Sequence, residues 1–163
     1  MKQGSTLFLK IAVIFIGIPV LAACIFLLPQ IAKEAMEQAA NGAILAYVVF
    51  AVLLIMYVSA IPFYYALYQS FKLLRYIDNN QAFSQVSVTA LKSIKKSAIT
   101  ISGLYVVALP FVYIVAEWDD APGLILLGMV MVGAPMVIAV FAAVLQRLLQ
   151  EAINIKSEND LTV

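Results

Sequence analysis

The sequence predicts an all-α integral membrane protein. The expected fold is a four-helix bundle with both termini in the cytoplasm and a cytoplasmic helical hairpin between spans two and three. Four stretches contain no Asp, Glu, Lys or Arg, and they cover residues 11–32, 38–71, 97–116 and 121–146. A helix needs about 20 apolar residues to cross the hydrocarbon core of a bilayer. We therefore expect a single membrane domain over residues 1–163, with spans at about 9–28, 43–68, 97–116 and 123–145.

The basic residues fall on one side of these spans. Nine of the ten Lys and Arg residues lie before span one, between spans two and three, or after span four, and Lys33 is the exception. The other two loops are acidic, and their carboxylates belong to Glu34, Glu37, Glu117, Asp119 and Asp120. Because loops rich in Lys and Arg stay cytoplasmic during insertion, we expect a multi-pass protein of the cell membrane with both termini inside.

Span one contains Pro19 and is expected to end near Pro29. The following loop, residues 30–41, is rich in helix-forming residues. It predicts a short helix at the membrane interface, closed by Gly42.

Span two carries a row of tyrosines beside a proline. Tyr57, Tyr64 and Tyr68 are spaced by seven and four residues, which places them on one helical face. One interpretation is an aromatic belt combined with helix packing. The other is a site for an apolar ligand, and its candidate lining residues are Tyr57, Pro62, Tyr64 and Tyr68.

Residues 69–96 predict the cytoplasmic hairpin. Helical spacing carries span two beyond the membrane, and Asp78, Asn79 and Asn80 form a turn signal. Ser84 then reads as an N-cap, with Phe83 and Val88 at the spacing of a hydrophobic staple. The candidate residues for docking a partner are Arg75, Phe83, Leu91, Lys92, Lys95 and Lys96.

Spans three and four contain small residues that favour close helix packing in lipid. Span four includes an Ala139–Ala143 pair at small-xxx-small spacing. After it, the polar C-terminal tail over residues 146–163 is amphipathic through Ile153 and then expected to fray.

The sequence lacks the usual chemistry of an enzyme. It has no histidine, and its one cysteine, Cys24, lies inside span one. No span contains, at membrane depth, an ionisable carboxylate or base of the kind that couples ions in transporters. We expect no catalytic residue, no cofactor and no metal. The net charge of +1 also argues against direct binding of nucleic acid.

Two segments resemble a known family. The opening reads MKQGSTLFLKIAVIFIGIPVLAACIF and the central loop reads LLRYIDNNQAFSQVSVTALKSIKKSAI. Both resemble the YoaS-like family of four-span bacterial membrane proteins, classed as a domain of unknown function. Members are often encoded beside a small Cro/C1-type helix-turn-helix regulator. The resemblance therefore implies a membrane partner that tethers or tunes a transcription regulator, and it carries over no catalytic residue.

Two functions follow as hypotheses. The first is a non-enzymatic regulatory or signalling protein of the lipid bilayer, whose hairpin docks a cytosolic helix-turn-helix regulator. The alternative is a small transport- or immunity-type membrane protein that handles an apolar ligand. The sequence leaves open whether the protein forms a homo-oligomer.

The charge distribution generates a test of topology. In a Cys24→Ala background, a membrane-impermeant maleimide added to intact cells should label Glu37→Cys and Asp119→Cys. It should not label Asn79→Cys, because that position lies in the predicted cytoplasmic hairpin. Labelling at position 79 in intact cells would reverse the predicted orientation, and labelling after permeabilisation provides the positive control.

Overall fold

The computed structural model describes residues 2–40, 42 and 44–161, and this part of the chain is helical almost throughout. The predicted first residue of span two, at position 43, lies outside the described residues. The elements in chain order are α1 (Lys2–Ala22), a π-helical turn (Ala23–Leu27), α2 (Leu28–Ala40), α3 (Ile44–Asp78), α4 (Gln85–Trp118) and α5 (Gly123–Leu161).

Four continuous helical rods are long and apolar enough to cross a membrane. They comprise 37, 35, 34 and 39 residues, the first running from Gly4 through the π turn to Ala40. At about 1.5 Å per residue even the shortest measures roughly 50 Å. The hydrocarbon core is only about 30 Å thick, so every rod extends beyond it. The predicted all-α fold with four membrane-spanning helices is confirmed.

The first outer loop differs from the prediction. Span one continues into α2 through Pro29 instead of ending there. The π turn explains this, since the backbone N–H of Leu28 bonds the carbonyl of Ala23, five residues back. Such local shifts in hydrogen bonding let membrane helices tolerate proline. Gly42 then follows α2 with a φ of +82°, a conformation that favours glycine, and its N–H bonds the Ala39 carbonyl at 3.0 Å.

A helical hairpin between spans two and three is present, because a short turn joins α3 to α4. The chain reverses through Asn80, whose φ of 60° is well tolerated by asparagine. Ser84 precedes α4 in an extended conformation, as expected for an N-cap. Its hydroxyl does not cap the helix, however, but donates to the carbonyl of Gln81. The Ser87 hydroxyl donates to the same carbonyl at 2.9 Å, so that oxygen organises the turn.

The helices pack mainly against their neighbours in the chain. α4 lies between α3 and α5, whereas α1 and α2 pack on α3. Small residues allow the close approach of α4 and α5, since Ala98, Ala108, Ala139 and Ala142 are all at least 96% buried. At Gly128 a Cβ atom would lie only 2.9 Å from Cδ2 of Leu109, so a larger residue there would push the Leu109 side chain aside.

The outer surface is apolar, as a bilayer requires. Phe15, Phe26 and Phe141 each leave about two thirds or more of their surface exposed. Contiguous apolar surface on this scale marks contact with lipid or protein. At the C-terminus, α5 remains helical to Leu161, so the expected frayed tail is a helix.

Candidate functional site

Two tyrosines of α3 hold α1 in place. The hydroxyl of Tyr57 donates to the Cys24 carbonyl at 2.9 Å, and that of Tyr64 donates to the Gly17 carbonyl at 3.0 Å. The two donors are seven residues apart, and so are the two acceptors, as expected for antiparallel helices in a regular register. Gly17 permits this approach, because a Cβ atom there would lie 3.2 Å from Leu67.

The predicted tyrosine face therefore meets another helix. Tyr57 and Tyr64 lie in the seam between α1 and α3, and Tyr68 is 59% exposed, with the Lys72 ammonium 5.5 Å from its ring centre. Pro62 lines a groove on the outside of the α3–α4 pair. These four candidates do not converge on one cavity, and their part in ligand binding stays a prediction.

A central cavity lies elsewhere, between the four rods. Its volume is about 540 Å³, which falls in the usual range for small-molecule sites. α1 and the π turn line one side, α5 lines the opposite side, and α3 and α4 form the rest. Representative apolar lining residues are Val20, Phe63, Ile101 and Met131. The cavity exists because α1 docks on α3 and leaves the space towards α5 open.

Ser59 and Tyr105 place a bonded pair of hydroxyls in this cavity, which Ser70 and Cys24 also line. The Ser59 hydroxyl donates to the Met56 carbonyl at 2.7 Å and lies 2.9 Å from the hydroxyl of Tyr105. Since Ser59 has only one hydroxyl hydrogen, Tyr105 must donate to Ser59. The Tyr105 oxygen keeps an acceptor lone pair. A mostly apolar ligand that presents a hydrogen-bond donor would fit this cavity.

A polar cluster fixes the N-terminal half of α1 against the end of α3. The Lys10 ammonium lies 2.6 Å from one carboxylate oxygen of Asp78, and the Thr6 hydroxyl donates to the other. Lys10 also lies 5.6 Å from the ring centre of Phe71. Asp78 is at the tip of the hairpin, beyond the apolar part of α3. The hydrogen bonds from Lys10 and then Thr6 hold the pKa of Asp78 below its ordinary value, although its partial burial acts in the opposite direction.

The candidate docking residues divide into two groups. Arg75, Lys92 and Lys96 are exposed, and Phe83 leaves 61% of its surface exposed. Lys95 is half-buried, and Leu91 is 93% buried, which places Leu91 in the interior of the hairpin. Because Phe83 is so exposed, a staple with the buried Val88 covers little of its ring. The exposed members form one end of the protein that a partner can reach.

No metal site is evident in the part of the chain that the structure describes. Within those residues, no three His, Cys, Asp or Glu side chains lie close enough together to hold an ion.

The fold and these features define a four-span, all-helical membrane protein, and comparison with known proteins agrees. The chain is 60% identical over 163 residues to the uncharacterized membrane protein YoaS of Bacillus subtilis (strain 168), covering both chains completely. Residues 32–163 match the family described as protein of unknown function, DUF2975. The chain belongs to this family, and the resemblance to YoaS-like proteins is confirmed. No solved structure matches it.

The seam between α1 and α3 generates a prediction about stability. Tyr64→Phe removes the hydroxyl that bonds the Gly17 carbonyl while keeping the ring. A hydrogen bond between membrane helices contributes about 0.6 kcal/mol on average and up to about 1.7 kcal/mol. We expect a lower midpoint of thermal unfolding in detergent, and a larger decrease in the double variant with Tyr57→Phe.

Tyr68→Phe is the matched control, because its exposed hydroxyl does not join the two helices. Equal midpoints for Tyr64→Phe and Tyr68→Phe would show that the hydroxyl bond to α1 contributes nothing to stability.

Proposed function

We propose that this protein is a non-enzymatic regulatory membrane protein whose cytoplasmic hairpin, residues 69–96, docks a cytosolic transcription regulator. The observation that carries the proposal is the continuity of α3 and α4, which run without a break from the membrane to the hairpin. A flexible linker would uncouple a bound regulator from the membrane domain. Continuous helices instead transmit a shift of the spans to the docking surface.

The exposed residues of the hairpin suit an acidic partner. Arg75 and Lys92 are both exposed, and Phe83 and Val86 add apolar surface nearby in the chain, 61% and 44% exposed. Positive charge steers an acidic surface during encounter, while an exposed aromatic ring can fill a pocket on the partner. A small helix-turn-helix regulator with an acidic face away from its DNA-binding helix fits this chemistry.

The hairpin is also joined to the cavity. Asp78 at the end of α3 holds Lys10 and Thr6 of α1, and α1 forms one side of the cavity. A ligand that moves α1 would therefore act on the end of the hairpin through this ion pair. The cavity and the hairpin would then be two sites connected by one rigid element, the helix α1. Such a connection is what regulation of a docked partner by a ligand needs.

The test is binding of the purified protein, in nanodiscs, to the product of a helix-turn-helix regulator gene, if sequencing of the locus finds one beside its own. The double variant Arg75→Glu with Lys92→Glu reverses two exposed charges of the hairpin. We expect at least a tenfold weaker affinity, because like charges then face the acidic partner. Maleimide labelling must first establish that the topology is unchanged, since these residues also direct insertion.

The matched control is Arg147→Glu with Lys156→Glu on α5. This double variant makes the same change in net charge on the same predicted side of the membrane but outside the hairpin. Equal affinities for the two double variants, with topology intact, would contradict docking at the hairpin.

The central cavity favours a second candidate function, the handling of an apolar ligand. Its lining is mostly apolar, and Tyr105 offers the hydrogen-bond acceptor described above. Burying apolar ligand surface there would supply the affinity, and the hydroxyl would set the orientation.

Decanol and its methyl ether test this second candidate, because only decanol can donate to Tyr105. At equal mole fraction in the nanodisc membrane, decanol should raise the midpoint of thermal unfolding more than the ether does. Tyr105→Phe should abolish this difference, whereas Tyr65→Phe, outside the cavity, should keep it. The same midpoint with both compounds in the unaltered protein would contradict the assigned acceptor.

A further inference from the structure

The α3–α4 pair carries a second concave surface on its other side. This outer groove has a volume of about 590 Å³ and opens beside Ile61, which is 73% exposed. Val58 and Ile61 of α3 and Leu104 of α4 form its apolar floor, and Ser93 and Lys96 of α4 lie at its polar end. None of these five residues lines the central cavity.

The groove changes from apolar to basic along the membrane normal. Its floor lies within the uncharged segments 38–71 and 97–116. Lys96 immediately precedes the second of these segments, and Lys72 immediately follows the first. Helical periodicity places Lys72 on the same face of α3 as Ile61, three turns further along. The mouth of the groove is therefore basic at the level where lipid headgroups begin.

The polar groups at this end have unused binding capacity. Among the described residues, the two ion pairs involve neither Lys72 nor Lys96. No hydrogen bond within the same residues engages the Ser93 hydroxyl, whereas the nearby Thr100 hydroxyl donates to its own helix at 2.8 Å. Two ammonium groups and a hydroxyl can donate to phosphate oxygens, and nothing acidic lines the groove to compete.

We propose that the outer groove binds one anionic phospholipid. An acyl chain lies along Val58, Ile61 and Leu104, and the phosphate is held at Lys96, with Lys72 and Ser93 beside it. Long lysine side chains reach the interface while their methylene groups cover apolar surface. The basic mouth selects the anionic lipid over a zwitterionic one, because each lysine near the surface favours negative charge. An apolar groove alone would accept any acyl chain.

A tryptophan reporter can test this proposal directly. Trp118 is the only tryptophan in the chain, so Trp118→Phe gives a silent background for Ile61→Trp. The protein is placed in phosphatidylcholine nanodiscs containing a small fraction of brominated phosphatidylglycerol or brominated phosphatidylcholine. We expect stronger quenching of fluorescence by the anionic lipid at equal mole fraction. Val58→Trp serves as the second reporter if Ile61→Trp does not fold.

Charge variants then identify the headgroup site. Lys96→Gln should reduce the preference for phosphatidylglycerol about fivefold, the effect of roughly 1 kcal/mol for one lysine near a membrane surface. Lys92→Gln is the matched control, since it removes the same charge one turn away on α4 but outside the groove. It should leave the preference largely unchanged.

Three outcomes would overturn the proposal. Equal quenching by the two lipids would show that the groove does not select charge. Equal effects of Lys96→Gln and Lys92→Gln would show a general surface attraction instead of a site. The third outcome is that neither brominated lipid quenches the tryptophan fluorescence until the protein is diluted to one copy per nanodisc. This result would show that a second copy covers the groove. Lys96 is also a candidate docking residue, so regulator docking is judged separately, from the double variant at Arg75 and Lys92.

Discussion

The structure depends on one constraint, which is that backbone polar groups in hydrocarbon must find partners within the protein. The chain meets it with long unbroken helices, although each of the four rods contains an internal proline. The π turn before Pro29 is a local solution to the same problem. Hydroxyl groups follow the rule too, since those of Tyr57, Tyr64 and Ser102 all donate to carbonyls of a neighbouring helix. Such hydroxyls contribute to packing and leave little polarity for a water-filled path.

The helices α1 and α5 are held in the bundle by different kinds of contact. α4 and α5 approach closely through small residues, such as the buried Ala139 and Gly128. α1 and the π turn instead contact α3 through two tyrosine hydroxyls and the Lys10–Asp78 ion pair. Few directional contacts hold α1, whereas a continuous van der Waals seam holds α5. The cavity lies where these two kinds of packing meet.

Local signals predicted most of the fold. The length of the uncharged stretches predicted the spans, and the turn residues from Asp78 to Asn80 predicted the hairpin. Spans and turns can be predicted in this way because each depends on residues that are close in sequence. The tyrosine periodicity correctly predicted a shared face, but the sequence could not say that α1 covers it. The cavity, the outer groove and the contact of Lys10 with Asp78 all require residues from different helices. No pattern within one helix encodes how far apart two helices lie or which of their faces meet. The continuation of α2 through Pro29 depended on a shift in hydrogen bonding that composition does not reveal.

The same two helices connect every feature of the site. α3 and α4 form a wall of the central cavity on one side, the outer groove on the other, and the hairpin at the end where the two helices are joined. A molecule in either concavity can influence the hairpin only by the difference in its affinity for two arrangements of these helices. A ligand in the cavity would act through α1, which the ion pair with Asp78 links to the hairpin tip. The groove touches α3 and α4 directly, so a bound lipid would favour one spacing of the pair. Regulation by a ligand and by lipid composition would then act on the docking surface through one shared structural element.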